Sequence, residues 1–291
     1  MIHRASAMSF GGAAAAYDRF RPSYPLAAAA WLTGRPAPAR VVDLGAGTGI
    51  LSRTLLRLGY DVVPVEPDAS MRAQLAIATP GVPALDGSAE EIPVADGTAD
   101  AIVAGQAYHW FDRERAHAEA ARVIRTGGTF GTIWNSRDET VPWVAALTAI
   151  FDRTEQQSRT VPESRTGQEG PTVPESRTGQ EGRTGQEGRN GRADQVAREG
   201  RGIRDDAPEI HSFGDRFGPV ERAEFRHATT HTTESLVGMV TTRSYYLTAT
   251  PQRQREVEQA VRALAADHPD LSGRDTFELP YLTTCYRAHR R

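Results

Sequence analysis

The chain has 291 residues, enough for one large domain or two smaller ones, and its apolar share of 39% is low for a packed globule. A net charge of −3 with 24% charged residues gives no reason to expect a polyanionic partner. One cysteine, Cys285, excludes an internal disulfide and a cysteine-built metal site, and predicts a reducing, cytoplasmic setting. No apolar run is long enough to span a membrane, and the N-terminal stretch lacks the bulky apolar core of a signal peptide.

In chain order, RVVDLG is a short apolar run ending in glycine, a first strand. GILSRTLLRLGY follows, with Ile50, Leu51, Leu55 and Leu58 at helical spacing and Gly59 as a stop. YDVVPVEPD predicts a second strand. A helix over 69–78 comes next, with Asp68 as its N-cap and Pro80 beyond its end. VPALDG, ADAIVAG and GTFGTIW predict strands three, four and five. Between the last two lies DRERAHAEAARVIRTGG, a helix capped by Asp112 and stopped by Gly127 and Gly128. Buried apolar strands alternating with helices predict a mostly parallel, doubly wound sheet.

The texture then changes. TVPESRTGQEG occurs at 160–170 and again at 172–182, and RTGQEG returns at 183–188. Each repeat carries one Val and no other bulky apolar side chain, so it cannot bury a face. Residues 152–206 are charge-balanced and predict a disordered insertion, with 1–151 and 207–291 forming one domain around it. Order resumes with a strand near 220–231. A helix follows in SLVGMVTTRSYYL and a clear one in PQRQREVEQAVRALAADHP, where Val257, Val261 and Leu264 line one face. A last strand is predicted near 276–288.

A strand, a glycine turn and a helix start together make a cradle for a nucleoside-type ligand, because glycine lets the backbone turn tightly and approach closely. Here the spacing is Gly45-x-Gly47-x-Gly49, not the G-x-G-x-x-G of a pyrophosphate site. Asp43, at the first strand's end, would repel a pyrophosphate and attract an ammonium group. Glu66, at the end of the second strand, suits a ribose diol, a feature shared with nicotinamide-dinucleotide sites. S-adenosylmethionine carries an ammonium group, a sulfonium and a ribose.

VVDLGAGTG, VEPD, GSAEEIP, ADAIVAGQAYHWFD and EAARVIRTGGTF, in this order, resemble the successive motifs of the class I S-adenosylmethionine-dependent methyltransferases. The branch called methyltransferase type 11 is the most similar. The resemblance runs from about Tyr17 to Trp143 and resumes at about Phe213; the repeat has no counterpart in it. It implies a Rossmann-like sheet of seven strands in the order 3-2-1-4-5-7-6, the last antiparallel. It also implies S-adenosyl-L-methionine as cofactor. Asp43 would hold the methionine amino group, and Gly45, Ala46 and Gly47 would pass beneath that part. Glu66 would take the ribose and Pro67 would pack on the adenine. Ser88 and Ala89 would meet the adenine edge, although many relatives carry Asp where Ser88 stands. Gln106 would line the methionine end. The segment YDRFRPSYP resembles one that folds over the cofactor, which makes Tyr17, Arg21 and Tyr24 candidates for closing the site.

Methyl transfer needs donor and acceptor aligned and water excluded, and a hydroxyl acceptor also needs a base. AYHWFD follows strand four, at the carboxyl end where such sheets bind ligands. His109 is the base candidate there, with Tyr108 and Trp110 as acceptor walls; the alternative is that Trp110 simply anchors the next helix. His231 and Arg243 are further acceptor-facing candidates. His227 is expected at the surface, and Cys285 is expected to be a buried strand residue. No Asn/Asp-Pro-Pro-aromatic tetrapeptide follows strand four, which argues against methylation of nucleic-acid bases. The reading is a methyltransferase acting on a small-molecule acceptor, at oxygen or carbon, with no nucleic-acid partner and no metal. The alternatives are an idle S-adenosylmethionine-binding protein and a nicotinamide-linked oxidoreductase.

Overall fold

A computed structural model describes residues 18–160, 208–247 and 249–291. Six strands form one sheet: β1 (Arg40–Leu44), β2 (Asp61–Val65), β3 (Ala99–Gly105), β4 (Ile124–Arg137), β5 (Glu221–His231) and β6 (Phe277–His289). Their order is β2-β1-β3-β4-β6-β5. The first four run parallel, and β6 is antiparallel to both β4 and β5.

This is the expected winding with one edge strand missing. Of VPALDG, only a bridge from Leu85 to Val65 remains. Leu85 donates to the Pro64 carbonyl at 2.8 Å, and Glu66 donates back to the Leu85 carbonyl at 3.1 Å. Pro83 has no N–H to extend a ladder, and glycines at 81 and 87 bound the stretch. The expected third strand therefore shrinks to one contact, and the sheet has six strands among the described residues.

The helices, in chain order, are α1 (Leu26–Thr33), α2 (Ile50–Arg57), α3 (Ala69–Ala78), α4 (Arg113–Val123), α5 (Pro142–Thr160), α6 (Thr233–Thr241), α7 (Ser244–Leu247) and α8 (Pro251–Asp267). Asp68 caps α3 by accepting from the Ser70 and Met71 N–H groups, and Asp112 caps α4 from Arg115. Three expected boundaries move. α4 stops at Val123 rather than at the glycine pair, because β-branched Ile124 enters β4 beside Ala99. SLVGMVTTRSYYL divides into α6 and α7. α5 runs on to Thr160, so residues 152–160 are helical and not part of a disordered insertion. The rest of the expected insertion, 161–206, which holds the repeats beyond Thr160, lies outside the described residues.

Strand alternation builds a core on each face. Val41, Ala101, Val103, Ile133 and Cys285 pack under α1 and α2 through Ala28, Leu32, Leu51 and Leu55. Val42, Ile102, Phe130, Trp134 and Tyr286 pack on the other face with α4 and with Phe213 and Phe217. A third cluster joins α5, α6, α7 and α8 to Phe277, Leu279 and Tyr281 of β6, forming a cap beside the carboxyl ends of the parallel strands. Each buried Val or Leu contributes about 1.5–3 kcal/mol over leaving it in water. Cys285 is fully buried, and burial pushes its thiol up to about 12, so it packs and does not react.

Candidate functional site

Two carboxylates stand at neighbouring strand tips. Asp43 pairs with Pro64 in the parallel ladder, and Glu66 follows directly after β2. Asp43 is 1% exposed; its Oδ2 accepts from the Ser52 hydroxyl at 2.6 Å, while Oδ1 is buried with no hydrogen-bond partner. Burial pushes this carboxyl up to about 7; the Ser52 hydrogen bond pulls it down, and the charge on Glu66 adds to the rise. Glu66 is also raised by burial, against the pull of backbone N–H groups of Asp68 and Gly47. Those N–H groups reach Oε1 and Oε2, each at 2.9 Å.

The glycine turn lies between these acids. Gly45 and Ala46 both donate to the Val65 carbonyl, which draws the turn against the tip of β2. A Cβ added at Gly45 would sit 2.7 Å from the Ala107 Cβ; one added at Gly47 would meet nothing within 4 Å. Gly45 is thus packed against the β3 exit, whereas Gly47 borders open space where a ligand can approach the backbone. At that exit Gln106 adopts φ 50°, a left-handed backbone costing on the order of 1–3 kcal/mol for a residue with a side chain. Its N–H is held by the Ile133 carbonyl at 2.9 Å, and its side-chain Nε2 reaches the Asn135 carbonyl at 3.4 Å.

Pro67 is half-buried beside Glu66. Ser88 exchanges backbone hydrogen bonds with Glu91, and Ala89 is buried. Tyr24 is buried under α1, its hydroxyl 2.8 Å from where a Cβ on Gly105 would stand. Arg21 is half-buried in the segment leading to it. Tyr17 lies outside the described residues. The neighbouring Asp18, which sequence reasoning passed over, accepts from the Thr48 hydroxyl at 2.8 Å and Arg53 at 2.7 Å. The tip of the Phe20 ring meets Gly238 of α6, where an added Cβ would come within 2.3 Å of it. Residues 18–20 therefore strap the glycine turn to the cap.

The acceptor-side candidates are not brought together. Tyr108 is 1% exposed and points into the aromatic cluster of Phe130, Trp134 and Phe213, with its hydroxyl 2.9 Å from His117 Nε2. Its place is core packing, which corrects the expected wall role: the short turn Tyr108–Trp110 directs this ring inward. His109 is exposed, its ring against Trp110 at 4.7 Å. His231 is half-buried between the Thr229 and Ser235 hydroxyls, beside a cavity of about 270 Å³ that Arg19 and Phe20 also line. Arg243 lies over the Phe151 ring at 5.7 Å, with Arg137 over the same ring at 4.7 Å. His227, expected at the surface, is half-buried and stacked on Tyr281 at 5.3 Å; β5 turns this residue toward the α1 face. A larger cavity, about 590 Å³, opens by Ser136, Arg222 and Tyr286 and includes none of the expected cofactor residues.

Residues 42–132 match the family model described as a methyltransferase domain. An uncharacterized methyltransferase of Mycobacterium tuberculosis (strain ATCC 25618 / H37Rv) is 36% identical over 289 residues, covering 98% of this chain and 97% of that protein. The chain belongs to the class I S-adenosylmethionine-dependent methyltransferases. A malonyl-[acyl-carrier protein] O-methyltransferase of Methylococcus capsulatus (strain ATCC 33009 / NCIMB 11132 / Bath) is 34% identical over 43% of this methyltransferase and 50% of its own length. A solved structure from Anaeromyxobacter dehalogenans, described as a candidate type II methyltransferase, matches with a TM-score of 0.55. At 22% identity it covers 93% of this chain and 98% of the other, and it shows the shared fold. No helix of the described residues is long and apolar enough to cross a membrane, and no cluster of His, Cys, Asp and Glu among them could hold a metal.

Proposed function

We propose that this methyltransferase carries a methyl group from S-adenosyl-L-methionine to a small-molecule acceptor, at oxygen or carbon, from a cytoplasmic setting. The observation that carries the reading is the Asp43 carboxylate, buried at a strand tip with Oδ1 unpartnered and the open Gly47 turn beside it. A buried acceptor atom left unmatched is costly, and an ammonium donor would satisfy it. Glu66 keeps lone pairs beyond those engaged by Gly47 and Asp68, so a ribose diol can still bind there.

The cofactor, when bound, supplies a methyl group already activated by a sulfonium. This chain's own residues do the positioning. Asp43 and Glu66 fix the two ends of the adenosyl-amino-acid skeleton, and Gly45 to Gly47 let the backbone lie close to it. Gln106, strained at the tip of β3, faces the next strand tip, where an acceptor would stand in line. The strap at Asp18 and Phe20 keeps water out. Holding two reactants in attack geometry supplies roughly 7–11 kcal/mol of such a barrier. An oxygen acceptor is consistent with the O-methyltransferase activity for which the Methylococcus capsulatus relative is named.

The test is a screen of small acids, phenols, quinones and lipids with methyl-labelled cofactor. Transfer of label to at least one class is expected. Transfer to none of them, with the cofactor bound, would overturn the small-molecule reading.

A further inference from the structure

A polar row runs along the carboxyl edge of the sheet. From Gln106 at the tip of β3, a side-chain hydrogen bond reaches the Asn135 carbonyl on β4. The Asn135 Oδ1 accepts from the Thr283 hydroxyl on β6 at 2.6 Å, and its Nδ2 donates to the Ser23 carbonyl at 3.2 Å. Thr283 Oγ1 lies 3.2 Å from His227 Nδ1 on β5. The ladder explains the row: Asn135 pairs with Thr283, and His227 pairs with Tyr281, one diagonal step along the same face.

This row sets a tautomer. Thr283 has one hydroxyl proton, and it goes to Asn135 in the shorter bond. Thr283 can then only accept from His227, so Nδ1 carries the ring proton. Nε2 is left with its lone pair, buried and without a hydrogen-bond partner among the described residues. A lone pair stranded in this way loses its water and gains nothing in return, unless a donor arrives with a ligand.

We propose that His227 Nε2 accepts the proton of the methyl acceptor, and that Thr283 and Asn135 are its positioning residues. The assignment rests on the small-molecule reading above and narrows it to acceptors with an ionisable O–H, such as phenols and other acidic hydroxyls. As the acceptor's O–H bond breaks, its proton passes to Nε2 and the oxygen's electron pair forms the new O–CH3 bond. The S–CH3 bond breaks with its pair left on sulfur, and the imidazolium later returns its proton to solvent. Atoms and charge balance without a further reagent.

The surroundings suit a base that is neutral at pH 7. Burial lowers the His227 pKa, and the Ser23 carbonyl acts in the opposite sense. Tyr281 stacks beneath the ring, and Thr283 and Asn135 are uncharged. Arg226, the preceding residue, is on the opposite face and is paired with Asp138. His109, by contrast, is exposed beside Trp110.

Two measurements on the full chain decide the matter. The first is nitrogen-15 NMR of histidine-labelled protein loaded with S-adenosylhomocysteine, with His227 assigned by its loss in His227→Gln. A proton on Nδ1 and a bare Nε2 at pH 7.5 are expected, with a mixture of tautomers in Thr283→Val. A proton fixed on Nε2 would overturn the proposal. The second is transfer of labelled methyl to a panel of phenols and small carboxylic acids. His227→Gln should lower kcat about a hundredfold or more, leave KM within about threefold and erase the acid-side inflection of the pH profile. A variant with the wild-type profile would overturn the assignment, since a merely structural histidine leaves that profile unmoved. If nothing on this panel, nor the quinones and lipids of the wider screen, takes label, the small-molecule reading fails, and the tautomer still decides for His227.

Discussion

The Gly47 N–H donates to Glu66 Oε2 at 2.9 Å, which ties the glycine turn to the acid at the next strand tip. The turn and the Glu66 carboxylate are therefore one unit, and changing one displaces the other. S-adenosylmethionine and S-adenosylhomocysteine should both raise the melting temperature of the protein, whereas NAD should not. Glu66→Ala should remove most of that rise, because it strands the Gly47 and Asp68 N–H groups as well as deleting the diol contact. Differential scanning fluorimetry reads this directly; an unchanged shift in Glu66→Ala would show that the acid does not meet the ligand.

The Asp43 carboxyl, pushed up to about 7 from 3.8 mainly by burial, makes a pH prediction with a definite sign. Above its unfolded value the unfolded chain sheds a proton that the folded chain retains. Stability therefore falls as pH rises from about 4 to about 7 and is level beyond. Asp43→Asn has no such group, so its melting temperature should gain on the wild type steadily between pH 5 and 7. The ligand's ammonium needs the ionised acid, so S-adenosylhomocysteine should bind up to about tenfold more tightly per pH unit toward 7 and then plateau. Calorimetry in two buffers of different ionisation enthalpy would detect the accompanying proton release. A pH-independent affinity would remove Asp43 from the ammonium site.

The strands and glycine turn that carry the candidate cofactor residues were legible because they are local in sequence. Strand, glycine turn and helix follow one another within VVDLGAGTGI, and VEPD ends the adjacent strand, so periodicity and a few residue types carry the arrangement. The row proposed for the acceptor side was not. Asn135, Thr283 and His227 come from three strands far apart in the chain and meet only through antiparallel register. A polar Asn at the end of the apolar run GTFGTIW was the one available signal. Tyr108 misled for the opposite reason: a short turn after β3 decides whether an aromatic faces the cleft or the core, and spacing alone does not encode that choice. The edge strand was lost to Pro83, which the sequence did contain.

The strap makes a prediction about rates. Asp18 holds Thr48 and Arg53 at the start of α2, and Phe20 holds Gly238 at the cap. Asp18→Ala or Gly238→Ala should free the segment without unfolding the sheet. Cofactor dissociation, followed by stopped-flow fluorescence, should then quicken several-fold while the association rate changes little. Equal dissociation rates in the variants and wild type would mean that the segment is not a cover. Gly238→Ala tests this from the cap side, because its new Cβ displaces the Phe20 ring and touches nothing at the glycine turn.

Tyr108 supplies a control from the other face of the sheet. Its hydroxyl is bonded to His117, and its ring meets Phe130, Trp134 and Phe213 edge-on or tilted. Tyr108→Phe keeps the ring and removes one buried hydrogen bond, which should cost about 0.5–1.5 kcal/mol of stability. The variant also leaves His117, whose pKa burial and Arg113 both depress, without its hydroxyl partner. Cofactor affinity and methyl transfer should be unaltered, since the hydroxyl points into the core. Urea denaturation and a cofactor titration on the same preparation separate the two outcomes. A transfer defect at full stability would return Tyr108 to the acceptor wall that the sequence assigned it.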